Sequence, residues 1–188
     1  MAIDSYMIFT KYDNTSVTAE SQVDLGSCAE ELAAPFKSAT GKIFEVESYN
    51  FDVEQTLSIG SQSSGAGAGK ITFNPFGISR KIDIASPEFF KMACNGTAFK
   101  TVQLGLRKSA GSEQSGVFYL RFDFKLVAVK TLGWEHDDEA PKENVTFEYG
   151  GLQIRYCQQE ASGKLKGVTI AGWNRVKNIV DVSDTAIT

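Results

Sequence analysis

The first residues to test for chemistry are Gly65-Ala66-Gly67-Ala68-Gly69-Lys70, a glycine run ending on a lysine. A phosphate-binding loop needs glycines whose N–H groups cradle phosphate, a lysine to reach it, and a hydroxyl for magnesium. Counting back from Lys70, the first required glycine falls on Ser64, and Ile71 occupies the hydroxyl position. No helix signal follows to aim a dipole at an anion. The stretch therefore reads as a flexible hairpin or assembly loop. His136 is the single histidine and sits beside Glu135, Asp137, Asp138 and Glu139. A hard-cation loop needs alternating oxygen ligands around a glycine turn, which this segment lacks, so Glu135 to Glu143 reads as a solvated acidic loop. Cys28, Cys94 and Cys157 are widely spaced, without metal-type pairing, and read as inert core thiols. No carboxylate pair is selected as a raised-pKa acid. The sequence predicts no catalytic residue, no cofactor and no metal.

Composition sets the class. The chain has 188 residues, 42% hydrophobic and 22% charged, which suits one soluble domain with a real core. A net charge of −4, with Arg80, Lys81, Lys100, Arg107 and Lys108 spread along strands, argues against nucleic acid as partner. No apolar run reaches the roughly 20 residues of a membrane span. The N-terminus has no basic region ahead of an apolar stretch, so no secretory signal is expected. An odd number of separated cysteines fits reduced thiols made in a cytoplasm.

The elements that must hold such a chain are mostly strands. One helix is predicted over about Pro87–Asn95: Ser86 as N-cap, Pro87 in the first turn, Asn95-Gly96 as the stop. Phe89, Phe90, Ala93 and Cys94 would form its apolar stripe. Ser5 to Phe9 is apolar on both parities, as in a strand buried on both faces. Residues 11–42 read as mostly loop, with a short helix around Ser27 to Ala34. Lys42 to Glu54 is extended but changes parity between Val46 and Tyr49. Lys70 to Phe73 and Phe76 to Ile84 form a further strand pair. Thr101 to Arg107 and Phe118 to Leu126 alternate cleanly, placing Tyr119, Arg121, Asp123 and Lys125 towards solvent, and Val127 to Val129 should be buried on both faces. Val145 to Tyr149 points odd residues inward and Leu152 to Tyr156 even ones, which a bulge at Gly150-Gly151 would reconcile. Val168 to Ile170 is a short strand, followed by Gly172-Trp173-Asn174 and a tail, 175–188. The predicted fold is mainly β: two packed antiparallel sheets in a barrel or sandwich, with one short helix.

In their order, several of these stretches resemble the Hcp (haemolysin-coregulated protein) family, which forms the inner tube of the bacterial type VI secretion machine. They are Met1 to Tyr6, Phe44 to Val53, Gly67 to Lys108 with its Ser86-Pro87 helix, Val145 to Ile154, and Gly172-Trp173-Asn174. The resemblance implies a single tube domain over 1–188, with 11–42 a divergent loop longer than in the family. It implies homohexameric rings stacked into a tube that a contracting sheath ejects with its spike from a baseplate. Small effector proteins ride in the lumen or on the spike. The protein would be non-enzymatic, made in the bacterial cytoplasm without a signal peptide and secreted through the apparatus. Two neighbouring readings are a chaperone ring for effectors and the tube of a phage-tail-like contractile device. A small β-fold hydrolase or carbohydrate module stands further off, since Trp134 and Trp173 are isolated and no catalytic set converges.

A closed ring needs two different patches per subunit that fit each other. The small-residue loop from Thr56 to Gly69 permits close approach, so Leu57, Ile59, Gly65, Gly67, Gly69 and Lys70 are the expected ring-interface residues.

Overall fold

The computed structural model describes residues 3–26, 28, 31–56, 70–108, 116–136, 140–159 and 165–181. Its elements in order are β1 (Ile3–Thr10), β2 (Phe44–Glu45), β3 (Ser48–Asn50), β4 (Val53–Gln55), β5 (Ile71–Phe73), β6 (Phe76–Lys81), α1 (Ser86–Asn95), β7 (Ala98–Lys108), β8 (Val117–Glu135), β9 (Lys142–Gln159), β10 (Leu165–Asn174) and β11 (Ile179–Val180). The fold is mainly β and antiparallel, with one α-helix among the described residues. Its strands form one branched sheet in the order β11-β10-β9-β8-β7-β1-β2, which does not close into a barrel. The branch is at β9. One edge pairs with β8 throughout, while the other takes β6 along Lys142 to Phe147 and β10 from Gly151 onward. β3 extends the branch from β6, and β4–β5 stand apart as a two-stranded sheet.

Three strands change parity at one level. In β7 the inward residues pass from Phe99 to Val102, in β8 from Val127 to Phe124, in β9 from Tyr149 to Leu152. Lys100, Leu126 and Gly150 lie abreast at the switch, with pairing in register on either side (Phe99 to Val127 to Tyr149, Thr101 to Lys125 to Gly151). The expected parity change at Gly150 is therefore real, but it shifts no register, because Leu126 opposite turns by adopting φ 51°. The register shifts in β8 lie elsewhere, at Lys130 and at Tyr119. A left-handed φ costs a side-chain-bearing residue about 1–2 kcal/mol. Leu126→Gly should thus stay within about 1 kcal/mol of wild type in urea unfolding, while β-branched Leu126→Val should lose about 1–2 kcal/mol.

Both faces of the sheet are covered. One carries the main core, including Met7, Phe9, Phe44, Phe89, Phe124 and Phe147. The other carries Tyr6, Ile8, Phe118 and Cys157 beneath Leu25, Cys28, Leu32, Phe36 and Ile43. Tyr6 to Phe9 are all buried, as the double apolar parity requires. The second cover comes from the segment expected to be mostly loop. Of the helix expected around Ser27 to Ala34, residues 27, 29 and 30 lie outside the described residues and Glu31–Ala33 form a 3-10 turn; the segment packs on the sheet as a strap. Phe36 stacks on Phe118 with centroids 5.1 Å apart, and a side chain at Gly105 would collide with both rings.

The strap also overturns the reading of β8 as a half-exposed strand. Arg121, Asp123 and Lys125 are buried under it, as are Gln153 and Arg155 of β9, while Tyr156 is exposed. The alternation read from the sequence holds from Leu120 to Lys125; the register shift at Tyr119 moves Phe118 to the strap face, Leu126 is exposed, and the cover over the polar face is not legible in the sequence. Val127 is buried but Ala128 and Val129 are only partly so. The Lys42 to Glu54 stretch resolves into β2, β3 and β4, each pairing with a different strand. The short Val168 to Ile170 strand is part of the longer β10, and within the described part of the expected tail, 175–181, Ile179–Val180 return as β11 against Trp173 and Asn174.

Candidate assembly surface

The helix sits where the sequence puts it but is fastened differently. Ala85 is the N-cap and makes no side-chain cap bond. Ser86 is instead the first helical residue, and its Oγ accepts from Asp83 N–H at 3.2 Å and from Arg80 Nη2 at 3.1 Å. Asp83 Oδ1 accepts from Ala85 N–H at 2.9 Å, which ties the turn down. At the other end Gly96 takes φ 68°, the left-handed stop expected of it. The buried stripe is Phe89 and Met92, three residues apart. Phe90 and Cys94, one position further round, face out, so Cys94 is not a core thiol.

Behind the helix lies a fully buried ion pair. Arg80, 2% exposed, reaches Asp83 Oδ1 at 2.7 Å and Glu143 Oε2 at 2.5 Å, and its guanidinium lies 4.9 Å and 5.1 Å from the Phe89 and Phe44 ring centres. Glu143 belongs to β9 and is 0% exposed; the expectation of a solvated acidic loop fails at this end because β9 begins at Lys142. At the loop's other end Glu135 closes β8, and His136 is exposed. Glu143 Oε1 also accepts from Trp134 Nε1–H at 2.8 Å, which holds the indole over the helix with its ring against Phe90. Phe90 and Trp134 are 55% and 54% exposed, with Ile82 and Ile84 exposed close by in sequence. This is an apolar patch on a rigid, ion-paired base.

A second patch lies further along β9. Hairpin β4–β5 pairs Val53 with Phe73 and Gln55 with Ile71, and both Val53 (46%) and Ile71 stay exposed. An isolated two-stranded hairpin is only marginally stable in water. This one is anchored at its base: Arg175 lies 5.1 Å from the Phe73 ring centre and 4.6 Å from that of Tyr149, and its Nη1 donates to Tyr149 O at 2.7 Å. Tyr149 Oη–H in turn donates to Asn74 O. Between hairpin and β10 runs a groove of about 930 Å³, walled by Gln55, Lys70, Phe73, Trp173, Arg175 and Asn178. On its wall the Trp173 indole N–H is buried and has no partner among the described residues. Val176, Ile179 and Val180 are exposed nearby on the β10–β11 return. From Glu143 to Tyr149 the two patches are separated by roughly 20 Å of strand.

Of the expected interface residues, Lys70 is exposed and lines this groove. Leu57, Ile59, Gly65, Gly67 and Gly69 lie outside the described residues. Sequence reading missed Phe90 and Trp134 as a joint surface. Both carry core-type side chains, and only the Trp134 bond to a buried carboxylate distinguishes them.

Burial pushes the Tyr149 hydroxyl up to about 12, against the opposing pull of Arg175. Its unfolded value is near 10, so the folded state holds the proton over the interval between. Stability should therefore be unaffected below pH 10 and fall as pH rises from 10 towards 12, by up to about 1.4 kcal/mol per unit. Tyr149→Phe should flatten that limb in urea titrations taken at each pH; an unchanged slope would refute the assignment.

Residues 37–156 match the family model described as type VI secretion system effector, Hcp. Protein hcp1 of Pseudomonas aeruginosa is 25% identical over 111 residues, spanning 58% of this chain and 68% of that protein. Among solved structures, one titled a type six secretion system protein superposes with TM-score 0.76 at 22% identity, covering 96% of this chain and all of the other. Hcp1 from Salmonella typhimurium gives TM-score 0.64 at 21% identity, with 96% and 100% covered. The family match begins at residue 37, so most of the strap precedes it.

Proposed function

From the premise that this chain belongs to the Hcp family of type VI secretion system proteins, we propose that six copies close into a ring through the two apolar patches and that rings stack into a pipe. As a type VI secretion tube protein it acts by shape. The observation that carries the ring reading is the pair of exposed patches on different parts of one subunit, Phe90–Trp134 where helix α1 meets the end of β8 and the separate β4–β5 hairpin. Two unlike patches are what a head-to-tail ring requires. The segment with Leu57, Ile59, Gly65, Gly67 and Gly69 springs from that hairpin, and its contact with a neighbour belongs to the same proposal. Trp173 would find its acceptor on the neighbouring copy.

Sheath, spike, baseplate and small effector proteins are the partners this role needs, and it needs no catalytic group. The route is synthesis in the cytoplasm and export through the apparatus. Among the described residues no helix is long and apolar enough to cross a membrane. Native mass spectrometry and negative-stain microscopy test the reading. Six-fold rings are expected; a lone subunit at every concentration, absent from the extruded apparatus, would overturn it.

A further inference from the structure

The polar floor under the strap has no part in the ring reading. Thr101 and Gln103 of β7, Asp123 and Lys125 of β8, and Gln153 of β9 share this face with Arg121 and Arg155. Together with Glu31, Ala34 and Pro35 of the strap they line a cavity of about 330 Å³, within the range of small-ligand sites. Arg121, Lys125, Asp123, Gln153 and Arg155 are each at least nine-tenths buried. A polar cavity of this depth is costly to build unless its groups are satisfied.

The bonding of Arg121 defines what fits. Its Nε donates to Asp123 Oδ2 at 2.9 Å, and its Nη1 donates to Leu32 O at 3.1 Å and Glu31 O at 3.4 Å. These fix the guanidinium plane, and its Nη2 N–H groups have no partner among the described residues. Arg155 is oriented the same way, Nε to Asp123 Oδ2 at 3.1 Å and Nη2 to Gln153 Oε1 at 3.1 Å. Arg121 thus presents a fixed, charged donor, its Nη2, to an oxygen acceptor. The walls also carry Asp123, and Glu31 at the rim, whose carboxylate lies 3.8 Å from Arg155 Nη1. Two carboxylates disfavour a nearly divalent phosphate and admit a planar monoanion.

We propose that this cavity binds a carboxylate, held by Arg121 Nη2 with Thr101 and Gln103 completing the site. The carboxylate belongs either to a free small acid or to the C-terminus of a polypeptide. Binding bridges strap and sheet, so it tightens the strap.

The test uses the full chain with nitrogen-15-labelled arginine and follows side-chain N–H signals by NMR. The probes are lactate, an acetylated hexa-alanine with a free C-terminus, and its C-terminal amide, all against sodium chloride at equal ionic strength. Saturable shifts of the Arg121 signals are expected, with a dissociation constant of about 1 mM or tighter for at least one probe. Lactate binding identifies a free acid; binding of the free-terminus peptide but not its amide identifies a chain terminus. Arg121→Lys, which keeps the charge but loses the fork, should weaken binding at least about tenfold. Should that variant misfold, Thr101→Val with Gln103→Leu leaves the arginines in place and should weaken binding likewise. Shifts no larger than those with chloride, or affinity unchanged in both variants, overturn the proposal. Ring formation is read separately and is unaffected by either result.

Discussion

Arg80→Ala is expected to destabilise the subunit by about 3–5 kcal/mol, the range for leaving one partner of a buried ion pair alone. Glu143 is 0% exposed, so its carboxylate would stay in the core without the guanidinium 2.5 Å away. The loss spreads further than one bond. Arg80 also holds Asp83 and Ser86, which shape the entry into α1, and fills the space between the Phe44 and Phe89 rings. Arg80→Met combined with Glu143→Leu should regain most of that stability, because well-packed apolar residues replace a buried pair at little or no cost. Urea midpoints of wild type, single and double variants decide it; a double variant as unstable as Arg80→Ala would show that packing, not charge, is the source.

The second large effect is on assembly, and mixing reveals it. Phe90→Glu on one patch or Ile71→Glu on the other should each abolish rings, since a charge pressed into an apolar contact costs several kcal/mol and every 1.4 kcal/mol is about tenfold in affinity. Both positions are exposed in the subunit, so each variant should fold normally. Mixed in equal amounts, the two variants keep one intact pairing: the sound hairpin patch of one against the sound helix patch of the other. They should form dimers and stop there, because both outer surfaces are then spoiled. Native mass spectrometry would show those dimers only in the mixture. Rings from either variant alone, or no dimers on mixing, would dismiss this pair of surfaces.

Much of the scaffold was legible in the sequence because local chemistry decided it. Pro87 and Gly96 bound α1, and the alternation gives the core faces of β7 from Val102 to Leu106 and of β8 from Leu120 to Phe124. What escaped was decided at a distance. Arg121, Asp123 and Lys125 alternate like solvent-facing residues, and only the strap, some ninety positions away in the chain, makes them interior. Leu126 hides a parity switch because nothing about a leucine announces a left-handed φ. Glu143 ends an acidic run and reads as wet until Arg80 is seen against it. The candidate surface was half legible: its small-residue loop stands out by composition, whereas Phe90 and Trp134 look like ordinary core residues until their exposure is known.

Strands β8 and β9, of 19 and 18 residues, run side by side from the helix patch to the strap. A thrust along that direction strains all their cross-strand bonds at once, in shear, whereas peeling would break them in turn. The pair therefore behaves as a spar, and a subunit pushed hard from behind should pass the load forward before it yields.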